Sequence, residues 1–228
     1  MESGPAYGLW PLVILNSALF AIFAVSFFHL RTGRDWRAMG GFTAFLIALF
    51  TEMYGIPLTV YLLSGWLGSK IPGIAATHEG GHLFNDLIGW TGDPHLSPFH
   101  LLSYVLIGGG FWLVAASWRV LYDAARTATL ATTGTYVRVR HPQYDGLLLV
   151  MIGFLVRWPT IPTLLMFPVL AYFYVRLARM EERDVAKAFG DTWTAYAATI
   201  PRFIPRLRHA KPPPKQADTS RDGEVLQR

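Results

Sequence analysis

"YVRVRHPQYDG", Tyr136 to Gly146, runs directly into "LLLVMIGFLV", Leu147 to Val156. Two arginines, a histidine and an aspartate thus stand at the mouth of an apolar segment. Pro142 has a fixed φ and no amide proton to satisfy, so it suits the first turn of a helix, with His141 just before it. The helix is predicted from Pro142, with Leu147–Trp158 as its apolar part. "WPTIP", Trp158 to Pro162, then brings two prolines that break the helix and turn the chain back into a second apolar run, Ile161–Leu177. The stretch reads as a helical hairpin whose first arm is short for a full bilayer crossing, with a cationic patch at its entry.

Composition places this hairpin in a membrane. Of 228 residues, 52% are hydrophobic and only 15% charged, and the mean hydropathy is +0.31, too apolar for an ordinary soluble domain. Leu9–Leu30, Gly40–Leu63 and Leu101–Val120 each match a bilayer in length. The expected fold is an all-α integral membrane protein of about five transmembrane helices, including the carboxyl-terminal hairpin, plus short cytoplasmic helices. Eighteen of the twenty Lys and Arg residues fall in residues 31–37, 119–140 and 176–228, leaving Lys70 and Arg157 for the other connections. The positive-inside rule then puts the amino terminus and the 64–100 loop outside, and the cationic patch and carboxyl tail in the cytoplasm. The net charge of +5 is accounted for by lipid head groups, so the partner is the bilayer and not nucleic acid. With no cysteine, disulfides, thiolate nucleophiles, Cys-ligated zinc and iron–sulfur clusters are excluded. The first eight residues lack the basic region of a cleaved signal. Three regions are expected: 1–130, amino-terminal helices and outer loop; 131–208, the hairpin and its cytoplasmic polar region; 209–228, a disordered tail whose "KPPPK" from Lys211 has almost nothing to bury.

Two other features invite a chemical reading. "HEGGH", His78 to His82, fits the HExxH zinc-protease pattern, with His95 and His100 nearby. Its paired glycines disfavour the helix that would aim both imidazoles at one metal, so the reading is a polar surface loop with no metal. Glu52 lies in the apolar "FLIALFTEMYGIPLTVYLL". A carboxylate there is costly unless it faces a cavity, which Gly55 and Pro57 could open, or pairs with a basic or hydroxyl group of another helix.

Free amides at the start of the hairpin's first helix, with Arg138, Arg140 and His141, suit a carboxylate or a phosphate. The second polar cluster is "RLARMEERDVAKAFGDTWTAYAATIPRFIP", Arg176 to Pro205. The second arm should continue through "EERDVAKAF", stop at Gly190, and be followed by a short helix capped by Asp191 and ended by Pro201. Antiparallel arms return Glu181 and Glu182 to the level of His141 and Tyr144. Phe189, Trp193 and Tyr196 offer an aromatic wall or simply pack that short helix. The cluster is either a polar ligand pocket or an interfacial salt-bridge network.

Taken in order, "GTYVRVRHPQYDG", a proline-broken hairpin and "EERDVAKAFGDTWTAYAATIPRFIP" resemble the carboxyl-terminal half of isoprenylcysteine carboxyl methyltransferases and their bacterial, phospholipid- and thiol-methylating relatives. The resemblance covers Gly134–Pro205. It implies an integral membrane enzyme that binds S-adenosylmethionine in a cytoplasm-facing pocket and methylates a lipophilic or small acceptor: a carboxylate, an amine or a thiol. Tyr136, His141, Pro142, Tyr144, Gly146, Glu181 and Glu182 are the implied cofactor-binding positions. Arg140 is implied at the reacting end, and Glu182 is the candidate base if the acceptor is neutral. The implied location is a bacterial inner membrane, or the endoplasmic reticulum if the source is eukaryotic. The amino-terminal half matches nothing assignable, and the acceptor stays open.

Two rivals stand beside this reading. An NADPH-dependent sterol-type membrane reductase carries a similar "RHPxY" hairpin, but here Gln143 replaces the expected asparagine and further spans are lacking. A metal-handling membrane protein would use the outer-loop histidines together with Glu52.

Overall fold

In the computed structural model, residues 8–27, 33–59, 62 and 82–205 are described, and they contain helices and connections but no strand. Helix α1 is Trp10–Phe27. Helix α2, Gly33–Phe50, continues into a π-helical turn, Thr51–Gly55. After the short α3, Leu83–Leu87, come α4, Pro98–Arg126, α5, Pro142–Arg157, and α6, Ile161–Thr199. Among the described residues, three stretches are long and apolar enough to cross a membrane: Arg37–Gly55, Pro98–Arg126 and Ile161–Thr199. The apolar part of α1, Trp10–Ile22, and the 16-residue α5 are shorter. Ile14, Leu19 and Ile22 of α1, Val105 and Trp112 of α4, and Leu165, Val169 and Tyr172 of α6 are exposed, which suits hydrocarbon and not water. The 209–228 tail and His78 lie outside the described residues.

The span expected over Gly40–Leu63 is interrupted. Ile56 is extended, with φ −106° and ψ 100°, because the proline ring of Pro57 clashes with a helical conformation at the residue before it. The π turn just ahead of this break buries Glu52. Its carboxylate accepts a hydrogen bond from the Thr59 amide at 2.9 Å. Among the described residues, the partner of Glu52 is thus backbone freed at the break. The Thr59 hydroxyl in turn accepts from the Ile161 amide at 2.9 Å, fastening this turn to the start of α6.

The hairpin forms as read. Thr160 and Thr163 make a reciprocal capping box at the start of α6, with the Thr163 amide 3.2 Å from the Thr160 hydroxyl. Its two arms, however, choose different partners. Helix α5 lies along α4, and α6 packs on α2. Glycine explains the first contact: a Cβ on Gly146 would stand 2.6 Å from Val114 Cγ2 and 2.8 Å from the Gly110 carbonyl oxygen. Between α2 and α6, the Tyr174 hydroxyl donates to the Ala38 carbonyl at 3.2 Å. Phe42, Phe45 and Leu49 of α2, Val150 and Met151 of α5, and Tyr174 of α6 fill the shared core. The arms meet where Tyr144 stacks on Tyr174 at 5.3 Å.

Helix α6 leaves its apolar part, Ile161–Leu177, and carries on to a bend at Gly190, whose φ of 50° is one that glycine adopts without strain. The chain beyond the bend reaches Thr199 and turns extended at Ile200, ahead of Pro201.

Candidate active site

Four segments converge at the end of the hairpin where α5 begins: the Gly134–Val137 turn, Arg140–Gln143, Glu181–Glu182, and the chain around Pro201. Backbone pairing fixes the last against the second, since the Arg140 and His141 amides donate to the Pro201 and Arg202 carbonyls at 2.9 and 3.1 Å. The Tyr196 hydroxyl donates to the Tyr136 carbonyl at 2.7 Å, and the Tyr136 hydroxyl to Gln143 Oε1 at 2.9 Å. The bend at Gly190 is what brings the Trp193–Tyr196 turn back over this corner.

Glu182 is the centre of the charge cluster. One of its oxygens lies 3.2 Å from His141 Nε2 and accepts from Arg202 Nε at 2.9 Å; the other accepts from the second arm of the same guanidinium. Arg140 Nε stands 3.1 Å from Glu182, and the Arg140 guanidinium lies 5.6 Å over the Trp193 ring. Glu181 accepts a hydrogen bond from the Tyr144 hydroxyl and stands 3.5 Å from His141 Nδ1. The antiparallel register therefore brings both glutamates to His141 and Tyr144, as the sequence predicted.

These contacts set the protonation states. Burial opposes the charged form of Glu182, but hydrogen bonds from His141 and Arg202, with the nearby charge of Arg140, outweigh it and hold the carboxyl at about 2. Burial also pulls the His141 imidazole down, yet the close carboxylates of Glu181 and Glu182 win and raise it above its ordinary value of 6.5. The signs fix a pH window. The His141 contribution is complete below 6.5 and lost as pH rises through its raised value; that of Glu182 is complete above its ordinary 4.5 and lost as pH falls toward 2. Thermal stability is expected to be flat between these limbs, and a pH series on His141→Gln should lack the alkaline limb. A carboxyl held this low is also a poor proton acceptor at neutral pH. Glu182 is thus held in its ionised form by its three cationic neighbours.

A cavity of about 270 Å³ opens beside the cluster. Tyr136, Arg140, His141, Gln143, Glu181 and Glu182 form its polar side, and Leu121, Ala124, Ala125, Leu130, Val185 and Phe189, with Trp193 and Tyr196, its apolar and aromatic side. Arg140 Nε and His141 Nδ1 are buried and make no hydrogen bond. Each is within 3.5 Å of a carboxylate oxygen, so the ion-pair contact is present while the alignment for a hydrogen bond is not. Two misaligned cationic donors beside a cavity suit an anionic ligand group.

The other predicted positions act from behind. Tyr144 holds Glu181; Pro142 is a buried first-turn residue; Gly146 is consumed in the contact with α4. None of the three lines the cavity. Sequence reasoning missed Arg202, which holds both oxygens of Glu182, and Gln143. The signal for Arg202 was its place in "IPRFIP", between two prolines that fix the returning chain. Of the histidines noted in and after "HEGGH", His82, His95 and His100 come together, away from this site.

The comparisons agree with the motif reading. Residues 98–192 match the family described as phospholipid methyltransferase. That segment, α4 through the turn after Gly190, belongs to the methyltransferase family that the hairpin motifs resemble. A curated relative, the cobalt-zinc-cadmium resistance protein CzcN of Cupriavidus metallidurans, is 33% identical over 109 residues, covering 47% of this chain and 50% of the relative. The chain thus matches about half the length of that protein. No solved structure matches.

Proposed function

We propose that the protein is an integral membrane methyltransferase that uses S-adenosylmethionine and methylates a lipophilic or small acceptor at the cytoplasmic membrane face. The observation that carries this is the pairing, in one cavity, of misaligned cationic donors, two glutamates and an apolar aromatic wall. Arg140 Nε and His141 Nδ1 would take the donor's carboxylate, Glu181 its ammonium, and Phe189, Trp193 and the apolar wall its adenosine. When bound, the donor supplies an electrophilic methyl group on a sulfonium. The chain's part is to orient donor and acceptor and to exclude water, which suffices for an in-line displacement when the acceptor is an anion. For a neutral amine or thiol, the acceptor's proton must also leave, to a base or to solvent. The excess of Lys and Arg at this end of the helices supports the cytoplasmic orientation. A site beside Leu121 and Ala125, near the end of the apolar α4, supports delivery of the acceptor from the bilayer.

The test is equilibrium binding of labelled S-adenosylmethionine to the detergent-solubilised protein, with S-adenosylhomocysteine and NADPH as competitors. Saturable binding displaced by S-adenosylhomocysteine and not by NADPH is expected. Displacement by NADPH, or no binding to well-folded protein, would overturn the reading in favour of the reductase or another class.

A further inference from the structure

The histidines at the opposite end of the helices do not line the cavity described above. His82 precedes α3, His95 sits in the Pro94–Leu96 turn, and His100 is in the first turn of α4. Their ring centroids are 4.7 Å apart for His82 and His100, 5.3 Å for His95 and His100, and 5.8 Å for His82 and His95. The Zn–N distance of about 2.0–2.1 Å, with a ring half-width of about 1.1 Å, puts each imidazole centroid about 3.2 Å from a bound zinc, and tetrahedral angles then separate centroids by about 5.2 Å. All three observed separations lie within about 0.6 Å of that value.

We propose that His82, His95 and His100 form a binding site for a divalent transition metal of the zinc class. Among the described residues no group of three His, Asp or Glu side chains is placed to hold a metal ion as it stands, and these three rings are packed edge to face or tilted. Closing the site requires turning rings and not moving chain. The Cβ–Cγ bond points nearly through the ring centroid, so rotation about it swings the nitrogens while the centroids stay in place, and this torsion is broad in histidine. The backbone is already braced for the purpose: the Asp93 carboxylate accepts from the His95 amide at 2.8 Å, the Ser97 hydroxyl from the His100 amide at 3.3 Å, and the Pro94 carbonyl from Asn85 Nδ2 at 3.3 Å. His82 and His100 are 3% and 1% exposed, and Trp158 closes the pocket against His82 at 5.0 Å, while the exposed His95 gives a metal its entry. The earlier expectation of no metal was argued from the paired glycines of "HEGGH"; the present site needs neither that helix nor His78. A bound metal would tie the outer loop to the start of α4.

The full-length protein in detergent, stripped with chelator, would be dialysed against Zn²⁺ and its metal content measured, with Co²⁺ absorption reporting nitrogen ligation. One zinc per chain is expected, with a rise in thermal stability. His95→Ala, at an exposed position, should fold normally and bind zinc at least tenfold more weakly, losing the zinc-dependent stabilisation. His100→Ala should do the same if it folds. Substoichiometric zinc in well-folded wild type, or unchanged affinity in His95→Ala, would overturn the site.

Discussion

Glu182→Gln is expected to weaken binding of S-adenosylmethionine by at least ~100-fold, as read by equilibrium binding of labelled donor. The physical reason is the cation count around one carboxylate: His141, Arg140 and Arg202 all face it within hydrogen-bond or ion-pair distance. Glutamine keeps the shape and one acceptor oxygen but removes the charge. Breaking a buried pair by removing one partner typically costs about 3–5 kcal/mol, most of it from the stranded opposite charge, and part of that falls on the folded protein itself. The prediction therefore includes a lower unfolding temperature, and the two readouts must move together. Donor affinity within threefold of wild type in Glu182→Gln would show that the cluster is an interfacial brace with no ligand role.

The second large effect concerns packing. Gly146→Leu should prevent recovery of monodisperse protein, and Gly146→Ala should cost about 1–3 kcal/mol in thermal unfolding. A Cβ at Gly146 meets a backbone oxygen of Gly110 at 2.8 Å and the backbone nitrogen of Val114 at 3.0 Å. Backbone cannot rotate away as a side-chain tip can, so α4 and α5 would have to separate. Gly108 and Gly109, in the same helix, have open space where a Cβ would go, and Gly108→Ala should leave stability unchanged or raise it slightly. Equal losses at Gly108 and Gly146 would remove the close-contact explanation.

Much of the site was legible before any coordinates, because it is built from regular helix. Pro142 sets where α5 starts, "WPTIP" sets where the chain reverses, and the antiparallel arms of the hairpin carry Glu181 and Glu182 back to His141. The identity of the helix beside α5 was not legible. Three consecutive glycines, Gly108–Gly110, look alike in the sequence, yet only Gly110 faces α5; the readable half of the signal was the seven-residue spacing of Gly146 and Gly153, which share one face. Arg202 was hidden because its position depends on two successive irregularities, the bend at Gly190 and the extended turn at Ile200–Pro201, and helical periodicity carries no information across either. The Gly40–Leu63 run keeps a membrane-length stretch, Arg37–Gly55, but its helix ends at the extended Ile56 before Pro57, close to where the sequence already placed a loosening at Gly55 and Pro57. The histidines were singled out in the sequence as neighbours, but not which of them meet, because His82, His95 and His100 come from a loop, a turn and a helix start, whose mutual distances no period encodes.

The divided loyalty of the hairpin gives the charge cluster a mechanical meaning. Since α5 belongs to the α4 pair and α6 to the α2 pair, the bonds from His141 and Tyr144 to the two glutamates act as a clasp between two half-bundles. A ligand seated on that clasp would be felt as tension across the whole molecule, and loosening either pair would register first as a change in grip at the cavity.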